Sequence, residues 1–216
     1  MFNYQGVEIF WLGHDGFKIK KDKTIYIDPF KTNDKEAADL VLISHEHFDH
    51  LSLEDLSRIV TDKTSIVAPS VCQKQLSSLH PEELVIIKVG ESKTVNGVLL
   101  ESIASYNTNK FRSPGQPFHP KEDGRVGYIF TLGGMRFYHA GDSDLIPEME
   151  ALTVDIALLP VSGTYVMTAE EAAQACNWLK PKLAIPMHWG EIVGSREDAL
   201  KFKNLVSCQV EILNKD

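Results

Sequence analysis

The 216-residue chain is poor in cysteine, in positive charge and in long apolar runs, and each shortage narrows what it can do. Its three cysteines, Cys72, Cys176 and Cys208, are widely spaced and odd in number, so they make neither a disulfide framework nor a Cys-x-x-Cys zinc site. That usage predicts a reducing, cytoplasmic location. Lys and Arg number 22 against 30 Asp and Glu, and the formal charge of -8 argues against a nucleic-acid-binding surface, which needs a basic stripe. No nucleic acid is expected as a partner. No stretch approaches the ~18 apolar residues of a membrane span, and Met1-Phe2-Asn3-Tyr4-Gln5-Gly6 lacks a basic start before an apolar run. Neither membrane insertion nor secretion is expected. Hydrophobic content of 43% with 24% charged residues suits a globular chain, and 1–216 reads as a single domain of ordinary size.

What the chain does have is alternation. Val7–Leu12, Gly16–Lys20 and Thr24–Asp28 read as an opening β-meander, with Lys21-Asp22-Lys23 as one of its turns. Ser52 followed by Asp55 reads as an N-cap before a short helix whose apolar face is Leu53, Leu56, Ile59 and Val60. The middle predicts strands at Ser65–Ala68, Leu84–Lys88 and Val98–Ala104, and a helix from Ser70 to Leu79 presenting Val71, Leu76 and Leu79. Residues 106–125, rich in Pro, Gly and Asn, predict a long functional loop. Strands return at Val126–Leu132 and Met135–His139 around Gly133-Gly134. The last third predicts strand, helix, strand, helix, strand, with Thr168 and Glu171 as a capping box and Ala169, Ala172, Cys176 and Leu179 as a buried stripe. Such a mixture implies an α/β architecture of two packed sheets with helices outside.

The segment Ser44-His45-Glu46-His47-Phe48-Asp49-His50 places three imidazoles and Asp49 within six residues, directly after Leu40-Val41-Leu42-Ile43. Imidazole and carboxylate hold Zn, Mn or Fe at neutral pH, so the segment predicts a metal cradle at a strand's end, with His45 and His47 directed to one side. Histidine and aspartate recur after apolar strands in His139-Ala140-Gly141-Asp142-Ser143-Asp144 and in Pro186-Met187-His188-Trp189-Gly190. Asp142 is the candidate bridge between two ions, since a shared carboxylate lowers their mutual repulsion.

These motifs, H-E-H-F-D-H, the later G-D-S and the final P-M-H, resemble the metallo-β-lactamase-fold hydrolases across nearly the whole chain. Trp11-Leu12-Gly13-His14-Asp15-Gly16-Phe17 and Ile27-Asp28-Pro29 further resemble the branch that includes ascorbate-6-phosphate lactonase and many uncharacterised metal-dependent hydrolases. The resemblance implies a four-layer αββα sandwich with two divalent ions, most readily zinc, at one sheet edge. Carried over by position, His45 and His47 would bind the first ion, Asp49, His50 and His188 the second, and Asp142 would bridge. The family's further first-site histidine is missing where Asn107 stands. Either Asn107 supplies an oxygen, or His119 folds back from the long loop, or the first ion is loosely held. His14, Asp28 and His139 are read as supporting residues, Asp28 as a carboxylate able to accept a ligand's second N–H.

Water held between two divalent ions ionises near neutral pH, which removes the need for a Ser, Cys or Lys nucleophile. Asp49 and Asp142 are the candidates to orient that water or move its proton. Lys110 and Arg112, with Lys121 and Arg125 nearby, would form a cationic lid for an anionic substrate, and Tyr165 would add a hydroxyl. The leading expectation is hydrolysis of a small-molecule ester, lactone or amide. Phosphodiester hydrolysis is the alternative, with nuclease action its weaker form. A non-catalytic metal-binding role follows if Asn107 marks a degraded site. An iron redox role is disfavoured, because that branch of the fold carries Glu where His47 stands. A homo-oligomer stays open.

Overall fold

The computed structural model describes residues 1–216. Seven strands follow one another in the first sheet: β1 (Phe2–Tyr4), β2 (Val7–Gly13), β3 (Gly16–Lys20), β4 (Thr24–Ile27), β5 (Leu40–Leu42), β6 (Ser65–Ala68) and β7 (Glu83–Ile86). β1 through β4 pair antiparallel across short turns, and β4 through β7 pair parallel because longer crossovers separate them. Two of those crossovers carry helices, α1 (Leu53–Ile59) and α2 (Gln73–Leu76).

The second sheet begins with β8 (Ser92–Val95) and β9 (Val98–Ala104), after which β10 (Phe111–Ser113) and β11 (Gln116–Pro117) form a separate small hairpin. It continues with β12 (Val126–Leu132), β13 (Met135–His139), β14 (Ile156–Pro160), β15 (Leu183–Met187) and β16 (Gln209–Val210). Its spatial order is β16-β15-β14-β13-β12-β9-β8, antiparallel from β8 to β13 and parallel from β13 to β16. The crossovers here are α3 (Ala169–Leu179) and α4 (Arg196–Leu205). Each half is thus a meander that turns into a parallel, helix-linked run.

Strand alternation assigns the layers. In the first sheet Ile25, Ile27, Leu40, Leu42 and Val67 enter the large core between the sheets, while Tyr26, Val41, Ile43, Ile66 and Ala68 join a smaller core with Leu56, Ile59 and Leu76 of the outer helices. Both faces of β4 and β5 are therefore apolar, as buried parallel strands require. Each such buried aliphatic side chain contributes roughly 1.5–3 kcal/mol relative to exposure. The resulting arrangement is the expected αββα sandwich.

Tyr128 of β12 ties the sheets together at depth. Fully buried, its hydroxyl donates to Ile43 O at 2.8 Å, with Val67 O at 3.2 Å. Val126 N donates to Ser44 O across the same boundary, at 3.2 Å.

The element boundaries depart from the sequence reading in specific places. The helix expected over 70–79 is a 3₁₀ turn, Ser70–Cys72, followed by the single α-turn α2. Ser77 and Ser78 turn their hydroxyls back onto Lys74 O and Gln75 O, and such local side-chain bonding competes with helix continuation. Leu53 is exposed rather than part of the α1 face, although Ser52 caps the helix as expected. Asp55 accepts from Lys31 N and Thr32 N instead of closing a capping box. The box at Thr168 and Glu171 is complete.

Candidate metal centre

The chain leaves β5 at Ile43 and makes a compact loop over Ser44–His50. Asp28, just beyond β4 and buried, holds both ends of that loop: its carboxylate accepts from Ser44 N at 2.7 Å, from the Ser44 hydroxyl, and from His50 Nδ1 at 2.8 Å. With Nδ1 so engaged, His50 turns Nε2 toward the sandwich edge, which is the tautomer control a metal ligand needs. His45 and His47 converge through a turn rather than an extended strand, and His45 Nε2 lies 3.0 Å from His47 Nδ1.

His119 completes that group. It arrives from the long loop, fully inside, and its ligating atom falls with those of His45 and His47 in one set. Asn107 is not a ligand in this arrangement. Its Oδ1 faces His119 Nδ1 at 3.0 Å and accepts from His119 N at 2.8 Å, while its amide nitrogen donates to Tyr165 O at 2.7 Å. Asn107 thus positions His119 beside His45 and His47.

A second group joins His14, Asp15, His50 and His188. His14 and Asp15 occupy the β2–β3 turn, and His188 follows β15 in the other sheet. Ser162, beyond β14, meets His188 Nδ1 at 2.9 Å and directs Nε2 into the group. His14, Asp28 and His188 all take left-handed backbone conformations, with φ of 52°, 43° and 58°. For non-glycine residues that conformation costs ~1–2 kcal/mol each. Surrounding structure holds them there: Trp11 Nε1 and His188 N both donate to His14 O, and the indoles of Trp11 and Trp189 stack with ring centroids 4.5 Å apart.

Asp142 stands between the groups. Its Oδ1 is 3.2 Å from His50 Nε2 and 3.5 Å from His188 Nε2, whereas its Oδ2 is 3.4 Å from His119 Nε2 and 4.0 Å from His45 Nε2. One oxygen faces each group. Gly141 makes this approach feasible, because at φ 60° a Cβ there would press on Val126 O, Ser105 Oγ and Ser44 Cβ at 3.1–3.2 Å. His139 supports the same segment: Gly141 N donates to its Nδ1, and its Nε2 faces Asp15 O at 2.9 Å.

Electrostatics divide the two groups. Burial, then neighbouring His50, holds His45 well below its ordinary pKa; burial likewise pushes His119 down to about 4 and lowers His47. These three imidazoles are neutral donors. Burial also opposes charge on His50 and His188, yet Asp142, joined by Asp28 at His50 and by Asp15 at His188, raises both, well above the ordinary value for His50. Against its own burial, Asp142 is held well below the usual carboxylate range by His50 and His188. Burial pushes Asp15 upward. Imidazole nitrogens and carboxylate oxygens converging at these spacings fit divalent cations.

A cleft of about 360 Å³ opens above the groups, with His47, Asp49, His119 and Asp142 at its floor. Phe48, Phe118, Tyr165 and Ile192 form apolar walls, and Arg112 reaches it with its guanidinium 5.4 Å from the Phe118 ring. Tyr165 reaches the cleft, at φ 69°. Lys110 does not: its ammonium pairs with Glu171 at 2.7 Å and Asp144 at 3.3 Å, away from the cleft. Lys121 pairs with Glu148 at 2.7 Å, and Arg125 is tied to Glu46 and Asp123. The expected cationic lid is reduced to Arg112, because neighbouring carboxylates neutralise the other three. Asp49 places Oδ2 3.1 Å from His14 Nε2, outside the group formed by His14, Asp15, His50 and His188.

Asp15 was not foreseen. In sequence it reads as a turn residue between two strands, and its burial depends on β15 and β13 from the far half of the chain. Trp11 and Trp189 were likewise unread, since stacking across the sheets leaves no local pattern.

Two mixed sheets with helices outside and a dense His/Asp centre at the strand ends make up a metal-binding αββα sandwich of the metallo-β-lactamase type. The chain belongs to the β-lactamase superfamily: the model of the beta-lactamase superfamily domain matches residues 8–188. Among curated relatives it is 31% identical to a UPF0173 metal-dependent hydrolase of Pelotomaculum thermopropionicum, over 96% of this chain and 97% of that protein. It is also 31% identical to one of Pyrococcus horikoshii, over 96% and 95%. Among solved structures, a metal-dependent hydrolase of Parabacteroides distasonis, described as putative, superposes with a TM-score of 0.81 at 31% identity, covering 95% of this chain and 92% of that one. Igni18, a metallo hydrolase of Ignicoccus hospitalis, matches with a TM-score of 0.75 at 24% identity, over 97% and 95%, which bears on the fold alone. The chain is a metal-dependent hydrolase with the metallo-β-lactamase fold. No helix in it is long and apolar enough to cross a membrane.

Proposed function

We propose that the protein hydrolyses an ester, lactone or amide bond in a small anionic molecule, using two divalent ions. The observation that carries this reading is Asp142, whose two carboxylate oxygens face two different histidine groups under one cleft. His45, His47 and His119 would hold one ion, His50 and His188 the other, with Asp142 between them. When bound, divalent ions supply Lewis acidity that ionises water near neutral pH and polarises the bond under attack. Zinc suits the three-imidazole group, and Mn or Fe suits a site richer in oxygen donors.

The chain's own residues divide the remaining work. Asp49, on the cleft floor and hydrogen-bonded to His14, orients the attacking water or carries its proton to the leaving group. Arg112 is the cation at the mouth, suited to a carboxylate or phosphate on the substrate, while Phe48, Phe118 and Ile192 cover an apolar portion. The cleft is sized for a small ligand, and the cytoplasm is the expected location.

The test is turnover of a panel of lactones, esters and amides, with and without anionic groups, beside nitrophenyl phosphodiesters, by metal-replete protein. Cleavage in the first set, lost on His47→Ala or Asp142→Ala, supports the reading. Exclusive phosphodiester cleavage replaces it with the phosphodiesterase alternative. Metal binding without turnover of any panel member would leave a binding protein.

A further inference from the structure

Asp15 is fully buried, and neither carboxylate oxygen has a hydrogen-bond partner. A carboxylate left that way is ionised only at a cost of several kcal/mol, so it either keeps its proton or takes a counter-charge. Three imidazole nitrogens surround Oδ2: His14 Nε2 at 3.4 Å, His50 Nε2 at 3.8 Å and His188 Nε2 at 3.9 Å. The last two spacings are too long for hydrogen bonds. They are close to those between donors that share one ion: ligands ~2.1 Å from a tetrahedral cation lie ~3.4 Å from each other. His50 Nε2 is itself without a hydrogen-bond partner, as is Asp142 Oδ1, 3.2 Å from it. Several unpartnered donors thus converge on one buried point.

Asp49, the carboxylate that the sequence resemblance assigns to this ion, instead meets His14. We propose that Asp15 is a direct ligand of the second ion, together with His50, His188 and Asp142. The inference rests on the two-ion reading above, but it concerns which atoms bind and not what is hydrolysed.

The test uses metal binding alone, so that it stands or falls separately from any turnover assay. Metal-stripped wild-type protein, Asp15→Asn and Asp15→Ala are titrated with Mn²⁺ and with Zn²⁺ by calorimetry, and bound metal is counted by elemental analysis. The expected result is two ions per chain in wild type and one in both variants, with second-site Mn²⁺ affinity weakened at least ~100-fold. First-site Zn²⁺ affinity should stay within a few-fold. Two ions with unchanged affinities in Asp15→Asn would overturn the proposal. If neither variant folds, a crystal structure of Mn²⁺-loaded wild type decides: an Asp15 oxygen ~2.2 Å from the ion supports it, and one beyond ~3 Å overturns it.

Discussion

Asn107 Oδ1 receives the backbone N–H of His119 at 2.8 Å and faces the Nδ1 of the same residue at 3.0 Å, so one side chain fixes both the loop and the ring. The ring proton on Nδ1 then leaves the Nε2 lone pair aimed at His45, His47 and Asp142.

Removing that control should weaken the first site without deleting it. Asn107→Ala is expected to lower first-site metal affinity ~10–100-fold, the usual scale for a group that orients a ligand. His119→Ala should release one of two ions outright. Elemental analysis after dialysis against a weak chelator separates the two outcomes, and full occupancy in His119→Ala would remove His119 from the ligand set.

Arg112 and Lys110, alike in sequence, should behave differently. Arg112→Ala is predicted to raise KM for an anionic substrate about tenfold, the equivalent of ~1.4 kcal/mol, with little effect on a neutral one. Lys110→Ala should leave KM nearly unchanged and lower the melting temperature, because its ammonium anchors Glu171 and Asp144. Steady-state kinetics on paired charged and neutral substrates, with thermal melts, checks both.

Acid should loosen that anchor. Although burial opposes it, hydrogen bonding from Lys110 and Asn109 holds Glu171 below its ordinary value of 4.5. A depressed folded pKa contributes stability above about pH 4.5 and loses it as pH falls through the lowered value. Glu171→Gln should therefore be less stable than wild type at pH 7, and the gap should close below pH 4.5. Melting temperatures of both proteins from pH 7 downward report it; a gap that persists at low pH would place the effect in the helix cap instead.

Gly127 marks a backbone close approach. A Cβ there would lie 2.7 Å from His139 O and 2.8 Å from Ala140 O, both main-chain atoms that cannot step aside alone. Gly127→Ala should cost ~1–3 kcal/mol and displace Gly141 and Asp142 with the strand end. Denaturant unfolding measures the first effect, and loss of bound metal measures the second.

Legibility in the sequence followed the range of the interactions. His45, His47 and His50 were readable because the donors crowd into six residues, and the core strands because alternation is local. His119 was visible only as one of three explanations for Asn107, since twelve residues of loop separate them. Lys110 was misread because its partner Glu171 sits 61 residues away. Asp15 was missed because nothing beside it signals burial; the histidines around it come from positions 14, 50 and 188.

The second group has a mechanical consequence. His14, Asp15 and His50 hang from the first sheet, whereas Asp142 and His188 hang from the second. A cation held by Asp15, His50, Asp142 and His188 would be a clasp on the sandwich, closing it much as a catch closes the covers of a book. Unfastening it would free the covers at the very edge where substrate enters, so the stiffness of the molecule and its readiness for chemistry would rise and fall together.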